Sequence, residues 1–286
     1  MARRDFRRRF VTSPDGTRIA FDSIGAGPGV VVLSGSLAPP ARYRRFAQAL
    51  AGSHTVHVVQ RRGRGASGPQ GEAYGMDREC DDALAVLEET GSRHLFGHSF
   101  GGLTALQTAL RAHREQLHSV VVYDAAVSVA GSMPLGFLPS FTRSVEEGRH
   151  ARAIAELTRG LQIGRHLDNL PFGVTLAVSR LGVNTVWKAE REVLPTVPKE
   201  GREALRLDGP ASAYDAISTP VHFMVGQHSP PYFRTAATAI AARLPAAGVT
   251  DMPGLDHRGP LARPRPVAEA YVKTLRATVS SERREP

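Results

Sequence analysis

The hexapeptide Gly97-His98-Ser99-Phe100-Gly101-Gly102 is the segment of this 286-residue chain best suited to covalent chemistry. It sets a serine among glycines, after an apolar run (93–97) that reads as a strand and before a periodic stretch (101–114) that reads as a helix. In so sharp a turn the serine backbone is strained, and the flanking glycines keep other side chains out of its way. The hydroxyl then projects above the sheet, where the first N–H groups of the helix face any oxyanion that develops. That is the setting of a nucleophile for acyl transfer. A purely structural turn is the competing reading, and the correct placement of the pattern, with Gly102 following, favours the nucleophile. A serine hydroxyl also needs a base, and eleven histidines compete for that role. His54, His57 and His222 fall in predicted strands, and His113, His118, His150 and His166 at predicted helix ends or loops. His98 adjoins the serine, and His257 follows the last predicted strand within Pro253-Gly254-Leu255-Asp256-His257. No histidine pair has metal-ligand spacing or a cysteine partner, so no metal is expected, and acyl transfer through a serine implies no cofactor.

The elements that must position these residues alternate along the chain. Segments 6–12 and 17–24 alternate apolar and polar residues around Pro14-Asp15-Gly16 and read as a hairpin. Val30-Val31-Val32-Leu33 is apolar on both faces, as in a buried parallel strand. Helix 41–51, strand 55–60, helix 77–89, strand 93–97, helix 101–114 and strand 119–123 follow. The pattern resumes with strand 220–226, helix 232–244, strand 248–252 and helix 266–279. An opening hairpin followed by this alternation predicts an α/β fold with one mostly parallel sheet covered on both faces. Between 124 and 220 the alternation stops; the region is helical, broken by prolines, and carries Phe137, Phe141, Phe172 and the only tryptophan, Trp187. The expectation is a core formed by 1–127 and 212–286, with 128–211 inserted as a helical cap rather than as one more packing layer.

Composition narrows the class. With 42% hydrophobic and 22% charged residues the chain is globular, and no apolar run approaches the roughly 20 residues of a membrane span. The formal charge is +9, and only Lys188, Lys199 and Lys273 are lysines among 36 basic residues. The arginines are scattered, with short clusters at 3–9, 42–45 and 61–64. They form no stripe with interleaved aromatics, so neither nucleic acid nor membrane is an expected partner. An acidic substrate or carrier protein is the partner that this charge leaves open. Arg3-Arg4-Asp5-Phe6 lacks the apolar run that a twin-arginine signal needs next. The single cysteine, Cys80, excludes an intramolecular disulfide and fits a reducing cytoplasm.

On the Gly97–Gly102 elbow the chain resembles the α/β-hydrolase superfamily, and the resemblance covers most of the sequence outside the insertion. The stretch Gln60-Arg61-Arg62-Gly63-Arg64-Gly65-Ala66-Ser67-Gly68 is similar to the family's D-x-R-G-x-G-x-S loop, with Gln60 in place of the acid. The resemblance implies His257 as the base, because the family carries it on the loop after the last strand. It also implies an oxyanion hole built from the N–H of Phe100 and one from the loop after the third strand. That loop reads Ser34-Gly35-Ser36-Leu37 instead of the frequent His-Gly, and Ser36 is the expected donor. The triad acid departs from the common pattern. Its usual place, three residues past a glycine after the seventh strand, falls on Ser229 in Gly226-Gln227-His228-Ser229, and serine cannot stabilise an imidazolium by charge.

Asp124 can substitute by geometry. About fifteen residues of helix after Ser99 run back roughly 22 Å, and the strand ending at Tyr123 returns about 18–20 Å, so Asp124 emerges beside Ser99 at the same sheet edge. Some haloalkane dehalogenases keep their acid there; Asp251 and Asp256 are weaker rivals. The expectation is therefore a cytoplasmic serine hydrolase that cleaves an ester-type bond of a small, largely apolar substrate through Ser99, His257 and Asp124. A thioesterase or lactonase of a biosynthetic pathway is the alternative within the class, since 94–99 also resembles type II thioesterases. A non-catalytic ligand-binding member of the fold is the alternative outside it.

Overall fold

The computed structural model describes residues 5–113, 115–164 and 168–282; Arg3, Arg4 and His166, named above, lie outside them. Eight strands form one sheet in the order β1-β2-β4-β3-β5-β6-β7-β8. β1 (Arg7–Thr12) and β2 (Arg18–Gly25) make the expected antiparallel hairpin, and β2 also pairs antiparallel with β4 (Thr55–Gln60). From β4 onward all neighbours are parallel: β3 (Gly29–Leu33), β5 (His94–His98), β6 (Ser119–Tyr123), β7 (Val221–Gly226) and β8 (Ala247–Met252).

The parallel strands are apolar on both faces because each face has its own cover. Val31 and Leu33 of β3 join one core with residues of α2 (Met76–Thr90), α3 (Phe100–Arg111) and α9 (Pro231–Ala241). Val30 and Val32 join a second core with α1 (Arg44–Leu50) and α11 (Pro264–Glu282). α2 stops where expected, at a left-handed Gly91 whose N–H bonds back into the helix. The helix expected over 41–51 opens instead as a 3-10 turn, Pro40–Tyr43, in which Arg42 N–H donates to the Pro39 carbonyl (2.9 Å). His54 sits one residue ahead of β4 rather than inside it.

Between β6 and β7 come α4 (Leu138–Glu146), α5 (His150–Gly160), α6 (Phe172–Gly182), α7 (Lys188–Val193) and α8 (Val197–Arg206). Leu138, Phe141, Ile154, Leu157, Leu194 and Val197 from this segment belong to the same apolar core as α3. Among the described residues no helix is long and apolar enough to cross a membrane.

Candidate active site

Ser99 stands between β5 and α3 with φ 55° and ψ −121°, a conformation that side-chain-bearing residues rarely adopt. The glycines around it are required by contact. A Cβ at Gly97 would strike the backbone of Gly101, and one at Gly101 would strike the Leu33 carbonyl. The parallel register pairs His98 with Tyr123, so Ser99 and Asp124 leave adjacent strands at the same level. Ser99 N–H donates to the Tyr123 carbonyl (3.1 Å), and the Ser99 carbonyl accepts from Ala126 N–H (2.9 Å). The strand-return arithmetic thus describes the actual placement of Asp124.

Asp124 is 1% exposed and has a positive φ of 43°. Its Oδ1 accepts the Gly226 N–H (3.1 Å), and its Oδ2 accepts the Ser229 hydroxyl (2.5 Å). The same Oδ2 lies 3.3 Å from His257 Nδ1. Ser229, at the position where the family pattern places an acid, instead donates a hydrogen bond to the carboxylate one strand away. His257 comes from the loop between β8 and α10 (Gly259–Ala262) and is buried, stacked on Phe233 at 4.7 Å and 7°. A proton on Nδ1 directed at Asp124 leaves Nε2 with its lone pair free. Asp256 serves its own turn, accepting the Arg258 N–H at 2.9 Å, and Asp251 pairs with Arg234. Neither reaches the His257 ring through these contacts.

A buried relay connects the loop that carries Ser36 to the loop that carries His257. Gly35 N–H donates to Tyr43 Oη (2.9 Å), Tyr43 lies 2.6 Å from His98 Nδ1, and His98 Nε2 lies 2.8 Å from the His257 carbonyl. All three bonds are satisfied together when Tyr43 donates to Nδ1 and a neutral His98 donates from Nε2. Burial, with His257 alongside, holds the His98 pKa well below its ordinary value, and burial also pushes the Tyr43 phenol up, so both stay neutral. His98 therefore faces Tyr43 and the His257 carbonyl.

The arginines of the 61–64 loop are structural members of the same region. Arg64 donates to the carbonyls of Gly35 (2.7 Å) and Ser36 (2.6 Å), and to Glu200 of α8 (2.5 Å). Arg61 bridges Glu79 and Glu200, both at 2.9 Å, and lies over the Phe100 ring at 4.9 Å. Because a peptide unit is planar and trans, fixing the Gly35 carbonyl from one side turns the Ser36 N–H to the other. The Gly35 N–H is already occupied by Tyr43.

Ser36, Ser99, Phe100 and His257 line one cavity of about 250 Å³, roofed by Leu138, Leu157, Trp187 and other residues of the inserted helices. Its wall is mostly apolar, with Glu200 and Glu190 as its carboxylates and the exposed Arg258 also contributing. Among the described residues no group of three or more histidine, cysteine or acidic side chains could hold a metal. Cys80 is buried on α2 away from this cavity, its thiol pushed up to about 12 by burial. All five residues singled out from sequence thus meet at one site. Tyr43 and Glu200 were missed, and Arg64 was named only as part of the family-like loop, because no local pattern marks contacts made across such distances in the chain.

Comparison with known proteins agrees with this fold. The family model described as the alpha/beta hydrolase family matches residues 30–270. The chain belongs to the alpha/beta hydrolase family. An alpha/beta hydrolase from Sphaerobacter thermophilus superposes with a TM-score of 0.78 at 27% identity, covering 93% of this chain and 99% of that one. An esterase from Rhodococcus sp. ECU1013 shares the fold at a TM-score of 0.67 and 20% identity, over 96% and 98% of the two chains. A pimeloyl-acyl-carrier-protein methyl ester esterase of Aeromonas hydrophila is 36% identical over 104 residues, which are 36% of this chain and 40% of that one. The chain thus spans about two fifths of the length of the curated relatives it matches.

Proposed function

We propose that this family member is a serine hydrolase that cleaves an ester-type bond of a small, largely apolar substrate through an acyl-enzyme. The observation that carries the reading is the buried Asp124–His257 contact at 3.3 Å, on the same cavity as a serine held in a strained elbow. In this mechanism His257 Nε2 takes the proton of Ser99 as its Oγ attacks the carbonyl carbon. Asp124 stabilises the imidazolium, and the N–H groups of Phe100 and Ser36 receive the oxyanion. His257 then protonates the departing alcohol. Water, deprotonated by the same histidine, attacks the acyl-enzyme and releases the acid and Ser99. Segment 128–211 acts as a cap whose apolar side chains shelter the acyl or alcohol group from water.

A carrier-bound acyl substrate is the finer version of this reading. It is supported by the charge of +9, by the exposed Arg258 among the cavity residues, and by the carrier protein in the name of the Aeromonas relative. The decisive experiment is Ser99→Ala. It is expected to abolish both hydrolysis of short p-nitrophenyl esters and labelling by a fluorophosphonate, and undiminished labelling would remove Ser99 from the mechanism.

A further inference from the structure

Glu200 is the one fully buried carboxylate among the residues that line the cavity, and the mechanism above does not use it. It sits in the first turn of α8, and its two oxygens differ sharply. Oε1 accepts from Arg61 (2.9 Å) and from Arg64 (2.5 Å), whereas Oε2 is buried without a hydrogen-bond partner. A buried carboxylate oxygen left without a donor is costly, and a donor supplied by a ligand recovers that cost on binding.

The surrounding charge says what kind of donor fits. Arg61 and Arg64 face Glu79 and Glu200, two cations against two carboxylates, and Glu79 also accepts the Tyr74 hydroxyl (2.9 Å). The charge is therefore already balanced. A cationic ligand group would add an unmatched charge, and a carboxylate would meet Oε2 with repulsion; a neutral O–H or N–H suits it. The position is also close to the chemistry. Arg64 spans from Glu200 to the carbonyls of Gly35 and Ser36, so the carboxylate lies one guanidinium away from the oxyanion loop.

Building on the ester-hydrolase reading, we propose that Glu200 Oε2 is a substrate-binding acceptor, selecting acyl or alcohol groups that carry a hydroxyl or amide N–H within a few bonds of the reacting carbonyl. The cavity on this view recognises one polar group within an otherwise apolar substrate.

The test compares p-nitrophenyl esters of matched acyl chains bearing a methylene, a hydroxyl, an acetamido or an oxo group at the second, third or fourth carbon, together with the corresponding alcohol series. At one position at least, kcat/KM for a donor-bearing member is expected to exceed its methylene counterpart by about tenfold or more, with the acceptor-only oxo member poorest. Glu200→Gln sharpens this. Its amide oxygen must stay on Arg61 and Arg64, which turns the free position into an N–H donor. The oxo member is then expected to gain on the methylene one, and the acetamido advantage to disappear. A merely structural Glu200 would lower all members alike. If every donor-bearing ester is used no better than its methylene partner, or if Glu200→Gln leaves the ranking unchanged, the inference is wrong while the hydrolase reading stands. Where Glu200→Gln does not fold, the donor, methylene and oxo ranking in the native protein decides. If no ester is cleaved, the hydrolase reading itself fails. The same ranking is then read from thermal stabilisation by chain-matched boronic acids, and equal stabilisation by all of them overturns the inference.

Discussion

Replacing Asp124 by asparagine tests the site at the point where it departs from the common family pattern. The substitution keeps shape and asks only for the charge. Asparagine tolerates the left-handed backbone at this position, where φ is 43°, and its amide oxygen can still accept the Gly226 N–H that Oδ1 now holds at 3.1 Å. The His257 imidazolium would lose a carboxylate oxygen 3.3 Å away. At an effective dielectric of about 20, two unit charges at that distance attract by about 5 kcal/mol, which corresponds to a rate factor of roughly 5,000. A second effect has the same sign. An asparagine N–H facing Nδ1 moves the histidine proton to Nε2, the atom that has to accept the serine proton.

The expected result for Asp124→Asn is a fall in kcat of about a thousandfold to ten-thousandfold with KM little changed, and a comparable slowing of fluorophosphonate labelling. Circular dichroism and the melting temperature check that the fold is kept. Asp256→Asn and Asp251→Asn serve as controls, because Asp256 bonds within its own turn and Asp251 to Arg234; both should stay within about twofold of wild type. Ser229 offers the converse experiment. Its hydroxyl is 2.5 Å from Asp124 Oδ2, so Ser229→Asp in the Asp124→Asn background brings a carboxylate to the same pocket and should recover at least about tenfold of the lost rate. The reasoning is refuted if Asp124→Asn keeps more than about a tenth of the activity while Asp256→Asn or Asp251→Asn collapses.

Two further outcomes follow from the packing. A methyl group at Gly35 would lie 3.0 Å from Ser99 Cβ and 3.6 Å from its Oγ, so Gly35→Ala should lower kcat about 10- to 100-fold by pushing the loop that carries Ser36 away from Ser99, and an unchanged kcat would contradict that placement. His57 and His94 are each held down to about 4, chiefly by burial, against an ordinary value of 6.5. The unfolded chain therefore binds these protons first, and stability should fall as the pH drops from about 6.5 to about 4, by up to about 3 kcal/mol for each group, with no further loss from them below that. Melting temperatures measured across this window should decline less steeply in His57→Gln than in wild type.

The parts of the site that were legible in the sequence are those set by short stretches of chain. Ser99 is encoded by its neighbours, since the glycines at 97, 101 and 102 are each needed where a Cβ would collide with backbone. Asp124 was legible because helix and strand rises convert residue counts into distances, and the observed His98–Tyr123 pairing places it where the count put it. The relay from Gly35 through Tyr43 and His98 to the His257 carbonyl was not legible. Its last bond joins residues 159 positions apart, and no periodicity links a tyrosine before α1 to a loop after β8. Glu200 was hidden for the same reason. It reaches Arg61 across 139 residues, and only the packing of α8 over the 61–64 loop reveals that contact.

Ser229 shows how a departure from a family pattern can leave the chemistry in place. β6 and β7 are parallel neighbours, paired from Val120 with Val221 to Tyr123 with Met224, so the residues that follow them emerge at one edge. A carboxylate from either strand end can therefore meet a histidine arriving from the loop after β8. Once Asp124 takes that role, a second carboxylate at 229 would stand against it in a buried place, where two like charges resist ionising together. A serine there does the opposite: it donates a hydrogen bond to Oδ2. The serine at the acid's usual position thus serves as hydrogen-bond donor to the carboxylate on the neighbouring strand.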